Sequence, residues 1–402
     1  MTQPTLTNVA YEDFCEVVPT ERLTATTGDA FARIAPSRTV ETSRPYDSAG
    51  LVHADAPPAA HPSRFAESWW NKPIDTPALY AACLHDAVCF GGRIRKISAG
   101  RHEFGQLLVA GDRYLVPDSY YVRGRSRSLP NGILDVDAEL GRYVLNEDLA
   151  QITTRPGLHY LVGSAHGHFG HFLLEGLSRL WLLERLHESD LQFVVYEPEL
   201  VDWQLATLEA AGVPEDRIVL VSEPTRFERL IVPGRAYNLH VTSSAEQDRL
   251  WERIGDACED DRPPTRIYCS RSRWRRNRKL LGEDAIDELF ADRGFDVVHP
   301  HLLDMREKIA LARSAERIAG PVGSGTYLAA FQRRGASSFI ISPPGFAFRD
   351  DHLIAEFRQS LLWYFMTEDV EDPSAPPRDA DYRVDLPRLA SAVDRWLEQP
   401  LG

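Results

Sequence analysis

Apolar and polar positions along this chain follow two rhythms, and the rhythm changes near residue 157. Before that point EFGQLLVAG and RYLVPDSYYV alternate as strands do, with turn residues at Gly111-Asp112 and Pro117-Asp118. This segment predicts an antiparallel β element. Residues 1–65, with SRPYDSAG and ADAPPAAHP, keep no sustained period and predict a loosely structured arm with short elements. After residue 157, LHYLVG, QFVVYEP and RIVLVSEP predict strands. Between them, HFLLEGLSRLWLLERL predicts one long helix and WQLATLEAAG a second that ends at Gly212. The stretch 245–258 reads as a linking helix and DDRPPT as a break. The alternation then restarts: strand RIYCS, helix 283–293, strand FDVV, helix 305–314, strand RIAG, helix 325–334, strand SFIIS and a last helix near 386–398.

Strands alternating with helices imply βαβ units and a parallel sheet. Two such runs imply an α/β fold of two Rossmann-like lobes, over 156–260 and 261–402, with an N-terminal arm and β-rich segment over 1–155. The length of 402 residues suits two or three domains at roughly 100–200 residues each.

Composition narrows the class. A hydrophobic share of 43% with 26% charged residues is that of a globular chain. A net charge of −14 argues against a nucleic-acid partner. The amino terminus lacks a basic stretch followed by an apolar run, and no window approaches about 18 consecutive apolar residues. A cytoplasmic location is expected, with peripheral attachment to the inner membrane left open. Five scattered cysteines without a CxxC pair predict neither zinc nor a disulfide framework.

In an acidic chain a basic cluster stands out. RIYCS passes directly into RSRWRRNRK, which puts Arg271 and Arg273 at the carboxyl end of a strand, where open α/β sheets bind ligands. Arginine forks suit phosphate oxygens, so Arg271, Arg276 and Arg278 are candidates for a diphosphate clamp. A solvated basic loop is the plainer alternative. Downstream, AERIAGPVGSGTYLAAF runs from a strand through Gly323, Ser324 and Gly325 into a helix beginning near Thr326. Glycines let backbone amides approach an anion, and Ser324 and Thr326 offer hydroxyls. A tight turn with a capping hydroxyl is the plainer reading of that loop too. It matches neither a Walker loop nor a GxGxxG fingerprint.

In GSAHGHFGHFLLEGLSR, three histidines fall within six residues at a strand–helix turn. With a helix starting near Gly170, His171, Glu175 and Arg179 share one face. The pair serves either as an acid–base group, with the carboxylate orienting the imidazole, or as a hydrogen bond pinning the helix start. Metal binding is disfavoured because no HExxH occurs and no cysteine lies nearby. Asp135-Val136-Asp137 has a DxD form but reads as a helix-initiating turn.

At these places the sequence resembles glycosyltransferase family 61, which includes capsular polysaccharide biosynthesis-like proteins. The residues that carry the resemblance are His171-Phe172-Leu173-Leu174-Glu175, Ser270-Arg271, Arg278-Lys279 running to Gly282-Glu283, Gly294-Phe295, Glu307-Lys308 and Gly320 through Thr326. It covers roughly residues 155–345. The family's loop histidine is Val322 here, its alanine Ser324, its leucine Thr326, a helix asparagine Leu328 and a glutamine Lys308. The resemblance implies a GT-B pair of lobes, acceptor lobe first and donor-nucleotide lobe second. It also implies an inverting, metal-independent transfer of a sugar from a nucleotide-sugar to a hydroxyl acceptor such as a saccharide, with no cofactor.

On that reading Arg271, Arg276, Arg278, Glu283 and Gly323–Thr326 hold the donor. His171 with Glu175 is the first choice of base and His168 the second. A non-catalytic nucleotide- or sugar-binding protein of the same fold is the main alternative, suggested by Val322 and Leu328. A nicotinamide-dependent oxidoreductase would need a glycine fingerprint followed by an acidic residue about twenty positions later, and that pair is not found.

Overall fold

The computed structural model describes residues 5–40, 51–53, 72–90, 103–104, 107–116, 122–123, 133–137, 142–145, 148–165, 167–197, 199–274, 278–343, 346–367, 370–372, 374 and 379–402. The chain divides into two compact units: 1–37 with 77–236, and 38–76 with 237–402. The division falls at 236/237, whereas the periodicity alone suggested a break near 260.

Unit 1 is built on a mixed sheet. Its central strands are β1 (Leu79–Phe90), β2 (Thr154–Gly163), β3 (Gln192–Val195), β4 (Ile218–Leu220) and β5 (Thr225–Pro233). They run in the order β1–β5–β2–β3–β4. The last four are mutually parallel, while β1 is antiparallel to β5. Helix α1 (Asp202–Ala210) leads from β3 toward β4. Beyond β1 the sheet continues through strands Leu107–Ala110 and Tyr114–Leu115, joined at Gly111 and Asp112, both with positive φ. The three-residue loop Gly111–Arg113, with two left-handed residues, suits the right-handed twist of a hairpin. The expected turn at Pro117-Asp118 lies outside the described residues.

Three expectations for unit 1 change. Within the N-terminal arm, Thr5–Asn8 and Ala30–Ala35 are strands of this sheet, and Leu6, Leu23 and Phe31 are buried. Asp135 and Asp137 lie in a strand, Ile133–Asp137, and not in a helix-initiating turn. Finally, residues 169–185 are not one helix. A single α turn at Phe169–His171 passes into a π-helical turn at Phe172–Gly176 and a 3₁₀ segment at Leu180–Arg185. The cause is a set of buried polar anchors that outrank helix continuation. Tyr160 donates to the Arg179 carbonyl at 2.5 Å, the Arg179 guanidinium donates to the Pro233 carbonyl, and Trp181 Nε1 donates to the Gly234 carbonyl at 2.9 Å.

Unit 2 is a three-layer α/β structure around a parallel sheet. Its strands are β6 (Thr265–Cys269), β7 (Asp296–Val298), β8 (Ala315–Pro321), β9 (Ser337–Ser342) and β10 (Leu361–Met366), in the order β7–β6–β8–β9–β10, with Leu51–His53 added beyond β10. Every neighbouring pair is parallel. SFIIS and LLWYFM read as near-continuous apolar runs because such strands are covered on both faces. Alternate side chains go to opposite layers. Phe339, Ile341 and Phe365 pack with Ile286 and Phe290 of α3 (Glu283–Ala291) and with Leu389, Val393 and Trp396 of the terminal helix (Leu386–Leu397). Ile340, Leu362 and Tyr364 pack with Ala355 of the helix Arg349–Phe357.

Helix α2 (Ala245–Ala257), expected as a linker, belongs to this unit. Arg358, fully buried, donates to Asp248 at 2.8 Å and pairs with Glu252 at 2.5 Å, while Arg313 of α4 (Met305–Ser314) pairs with Glu252 at 2.6 Å. Those charges are removed from water and depend on one another, which fixes the helix in place. The helix expected over 325–334 is a six-residue 3₁₀ segment, Thr326–Phe331, all of it buried.

All five cysteines are buried and unbridged, and burial pushes the thiols of Cys15, Cys83, Cys89 and Cys269 up to about 12. Trp396 is fully buried, donates Nε1 to Ser337 Oγ at 2.6 Å and lies beneath the Arg317 guanidinium. Trp396→Ala is expected to lower unfolding free energy by about 3–5 kcal/mol, read by urea denaturation. An unchanged midpoint would remove the terminal helix from the core.

Candidate functional site

The connections from β6 and β8 leave in opposite senses along the sheet. From β6 the chain passes through α3 to β7 at the edge, and from β8 it continues inward to β9. A crevice beyond the carboxyl ends of two such strands is the general binding position of open α/β sheets. Arg271 follows β6 by two residues, and Gly323 follows β8 by two. The expectation that they lie together is met. Arg271 Nη1 lies 3.5 Å and Arg278 Nη2 3.0 Å from the Val322 carbonyl oxygen.

Each arginine is held from behind. The Arg271 backbone N–H donates to Glu283 Oε1 at 2.7 Å, and Tyr268 donates its hydroxyl to the same oxygen at 3.2 Å. Ser270 and Ser272 donate to Asp287 Oδ2 at 3.1 and 2.9 Å, which closes the turn after β6. Arg278 has a positive φ of 53°, and its guanidinium covers the Phe346 ring at 4.1 Å. The next residue, Lys279, donates its N–H to Asp381 at 2.6 Å. Burial, joined by the charge of Arg271, pulls Arg278 down to about 10, and burial also lowers Arg271.

The glycine turn supplies the opposite wall. Gly323 has φ 146°, and a β-carbon there would lie 2.8 Å from Arg278 Nη2. No side chain fits. Among the described residues, no hydrogen-bond acceptor meets the amides of Gly323, Ser324 and Gly325. Val322, at the position of the family's loop histidine, is fully buried against Ile340, Tyr364 and Met366, so only its carbonyl faces the arginines.

The remaining expected residues divide. Thr326 is buried and its hydroxyl is committed to the Gly323 carbonyl at 2.8 Å and Asp351 at 3.2 Å, so it shapes the turn. Glu283 is likewise a brace for Arg271, and burial raises its carboxyl to about 7. Arg273 is exposed, and Arg276 lies outside the described residues.

Sequence reasoning missed several neighbours. His299 follows β7 directly, and His301 meets the Trp274 ring edge-on at 5.6 Å. Burial lowers His301, helped by the charges of His299, Lys308, Arg273 and Arg271. Burial also lowers Lys308. The available signal was HPH placed at the end of a predicted strand.

Unit 1 has its own cluster at the carboxyl ends of β2 and β3. His171 Nδ1 lies 2.9 Å from Glu175 Oε2, both partly exposed, and the exposed His168 meets the His171 ring edge-on at 5.0 Å. Ser164, just past β2, donates to Glu197 at 3.1 Å, and burial raises the Glu197 carboxyl. Arg179 does not share the His171–Glu175 face. The π turn inserts a residue and sends Arg179 inward to Pro233. Such turns recur at functional sites.

A raised carboxyl favours folding at low pH, because the folded chain then holds a proton that the unfolded chain releases. Glu283 therefore contributes stability that is present below the ordinary glutamate range and lost as pH rises through about 7. Glu283→Gln keeps an oxygen for the Arg271 N–H. Its stability relative to the parent is expected to increase from pH 5 to pH 8 in parallel urea titrations, and a constant difference would refute the burial account.

No curated protein matches the chain. Residues 169–339 match the family model described as Glycosyltransferase 61. That segment contains His171, Glu175, Arg271, Arg278 and the glycine turn, and it begins immediately after His168. Over those residues the chain is thus similar to glycosyltransferase family 61.

Proposed function

We propose that the protein transfers a sugar from a nucleotide-sugar donor to a hydroxyl acceptor, such as a saccharide, with inversion at the anomeric carbon. The observation that carries this reading is the convergence of two partly buried guanidinium groups on the glycine turn of unit 2. An acceptor hydroxyl oxygen forms the new bond to the anomeric carbon while the bond to the β-phosphate oxygen breaks. The nucleoside diphosphate leaves with the electron pair. Arg271, Arg278 and the amides of 323–325 take up the charge that develops, in the manner of a preorganised oxyanion site, and no metal is required for that task. Ser324 contributes a hydroxyl at the same bend.

In this reading unit 2 is the donor lobe and the parallel half of unit 1 the acceptor lobe of a GT-B-like pair. His171, oriented by Glu175, accepts the proton of the attacking hydroxyl, with His168 next to it. The nucleotide-sugar is a substrate, and no resident cofactor takes part. Cell-surface polysaccharide or glycoconjugate synthesis is the setting this chemistry suits. Among the described residues no helix is long and apolar enough to cross a membrane.

Arg278→Ala is expected to weaken UDP or GDP binding about 10–100-fold, because a charge-assisted hydrogen bond contributes about 1.5–3 kcal/mol. Isothermal titration with each nucleotide measures this, and equal affinities would disprove the clamp. His171→Ala is expected to slow transfer by about 10²–10⁴ while nucleotide affinity stays unchanged. Near-normal turnover in a discontinuous assay of sugar transfer would show that another group takes the proton. Tight nucleotide binding by the parent protein with neither transfer nor donor hydrolysis across a broad acceptor panel would favour a non-catalytic binding role.

A further inference from the structure

A buried carboxyl stands behind the glycine turn of the crevice. Asp351 lies in the first turn of the helix Arg349–Phe357 and is 4% exposed. Its Oδ2 meets the Tyr364 hydroxyl at 2.5 Å and its Oδ1 the Thr326 hydroxyl at 3.2 Å. Among the described residues no other donor reaches its carboxyl. The same Thr326 hydroxyl lies 2.8 Å from the Gly323 carbonyl, which also accepts the Thr326 N–H at 3.0 Å. The three contacts made by the Tyr364 and Thr326 hydroxyls need one hydrogen each, and the two hydroxyls supply two. With Asp351 ionised, one of the three would set two oxygens face to face with no hydrogen between them. One proton on Asp351 Oδ1 closes the set. Tyr364 then donates to Oδ2, Oδ1 donates to Thr326, and Thr326 donates to Gly323.

The surroundings favour that proton. Asp350, the neighbouring carboxyl, is better supplied with donors: the Tyr237 hydroxyl at 2.7 Å, the His240 backbone N–H at 2.8 Å, the Tyr327 hydroxyl at 3.4 Å and the His240 ring at Nδ1. Two adjacent buried carboxyls with unequal donor supply divide into a charged and a protonated member. The titratable groups around Asp351 are Arg349, Asp350 and His352 on its own helix, Tyr364 on β10, Tyr327 on the 3₁₀ segment, and Tyr237 and His240 ahead of α2. Burial, joined by the charge of Asp350, pushes the Asp351 carboxyl up to about 7, against the pull of the two hydroxyls and of His240.

We propose that Asp351 is a positioning residue of the nucleotide site: as an undissociated acid it donates to Thr326 and so leaves the one Thr326 hydroxyl hydrogen to close the glycine turn at Gly323. This rests on the nucleotide reading of unit 2 and adds that its grip depends on a proton held behind the turn. When Asp351 ionises, the Thr326 hydrogen swings to the carboxylate and the Gly323 carbonyl keeps only the N–H. The turn that offers its amides to the diphosphate then loses a brace. Proton and nucleotide are thus linked: affinity is higher below the Asp351 range and falls as pH rises through about 7, and bound nucleotide favours the protonated acid.

Calorimetric titration of UDP and GDP at pH 6 and pH 8.5 tests this. The terminal phosphate of each nucleotide titrates in the same range, so every variant is compared with the parent at the same pH. Asp351→Asn keeps a donor for Thr326 and an acceptor for Tyr364 at either pH. The ratio of the parent's Kd to this variant's is expected to rise about fivefold from pH 6 to pH 8.5, as one hydrogen bond is lost in the parent alone. Thr326→Val removes the hydroxyl and keeps the side chain's shape. Its Kd relative to the parent's is expected to fall about fivefold over the same interval, because the parent loses at high pH what the variant lacks throughout. A constant Asp351→Asn ratio overturns the proposal. So does a constant Thr326→Val ratio, which would mean that the charge of Asp351 acts without the hydroxyl. Both results leave the parent's nucleotide site standing, whereas a parent that binds neither nucleotide at either pH overturns the nucleotide reading and this one together.

Discussion

Two guanidinium groups placed side by side away from water repel each other, and the structure around them must offset that repulsion. In unit 2 part of that offset comes from neighbouring dipoles and rings. Arg271 and Arg278 share the carbonyl of Val322, and ring faces of Trp274 and Phe346 lie against them. Glu283 reaches Arg271 through its backbone N–H. Burial lowers both arginines, and at Arg278 the charge of Arg271 adds to it.

The rest of unit 2 keeps that arrangement rigid. Strand order places the ends of β6 and β8 next to each other, so the arginines and the glycine turn come from adjacent elements of the sheet. Val322 anchors the turn in the apolar layer, which fixes the direction of its carbonyl. Arg278 is held in a left-handed conformation between a masking ring and a tethered neighbour. Side chains on packed elements are positioned more reproducibly than those on free loops, and electrostatic catalysis depends on that reproducibility.

What the sequence made legible follows from where the forces are local. Strands β6 to β9 and helices α3 and α4 could be read because parallel strands give continuous apolar runs and these helices give clean periods. The pairing of Arg271 with Gly323 could be read because both follow strand ends. The π turn after His171 could not be read, since HFLLEGLSRLWLLERL has helical periodicity. The anchors that break it, Tyr160, Pro233 and Gly234, lie far from it in sequence. The same holds for His240 and Asp350, which are 110 residues apart. The strand content of the N-terminal arm escaped notice because short edge segments owe their conformation to a partner strand.

The buried cysteines have a practical corollary. Thiol chemistry proceeds through the thiolate, and groups pushed up to about 12 hold almost none of it at neutral pH. Those four sulfurs therefore offer a quiet background for alkylating reagents, and Cys258 is buried. One cysteine introduced on the surface of each unit would take up maleimide dyes selectively, so the distance between the units could be followed by energy transfer as nucleotide is added.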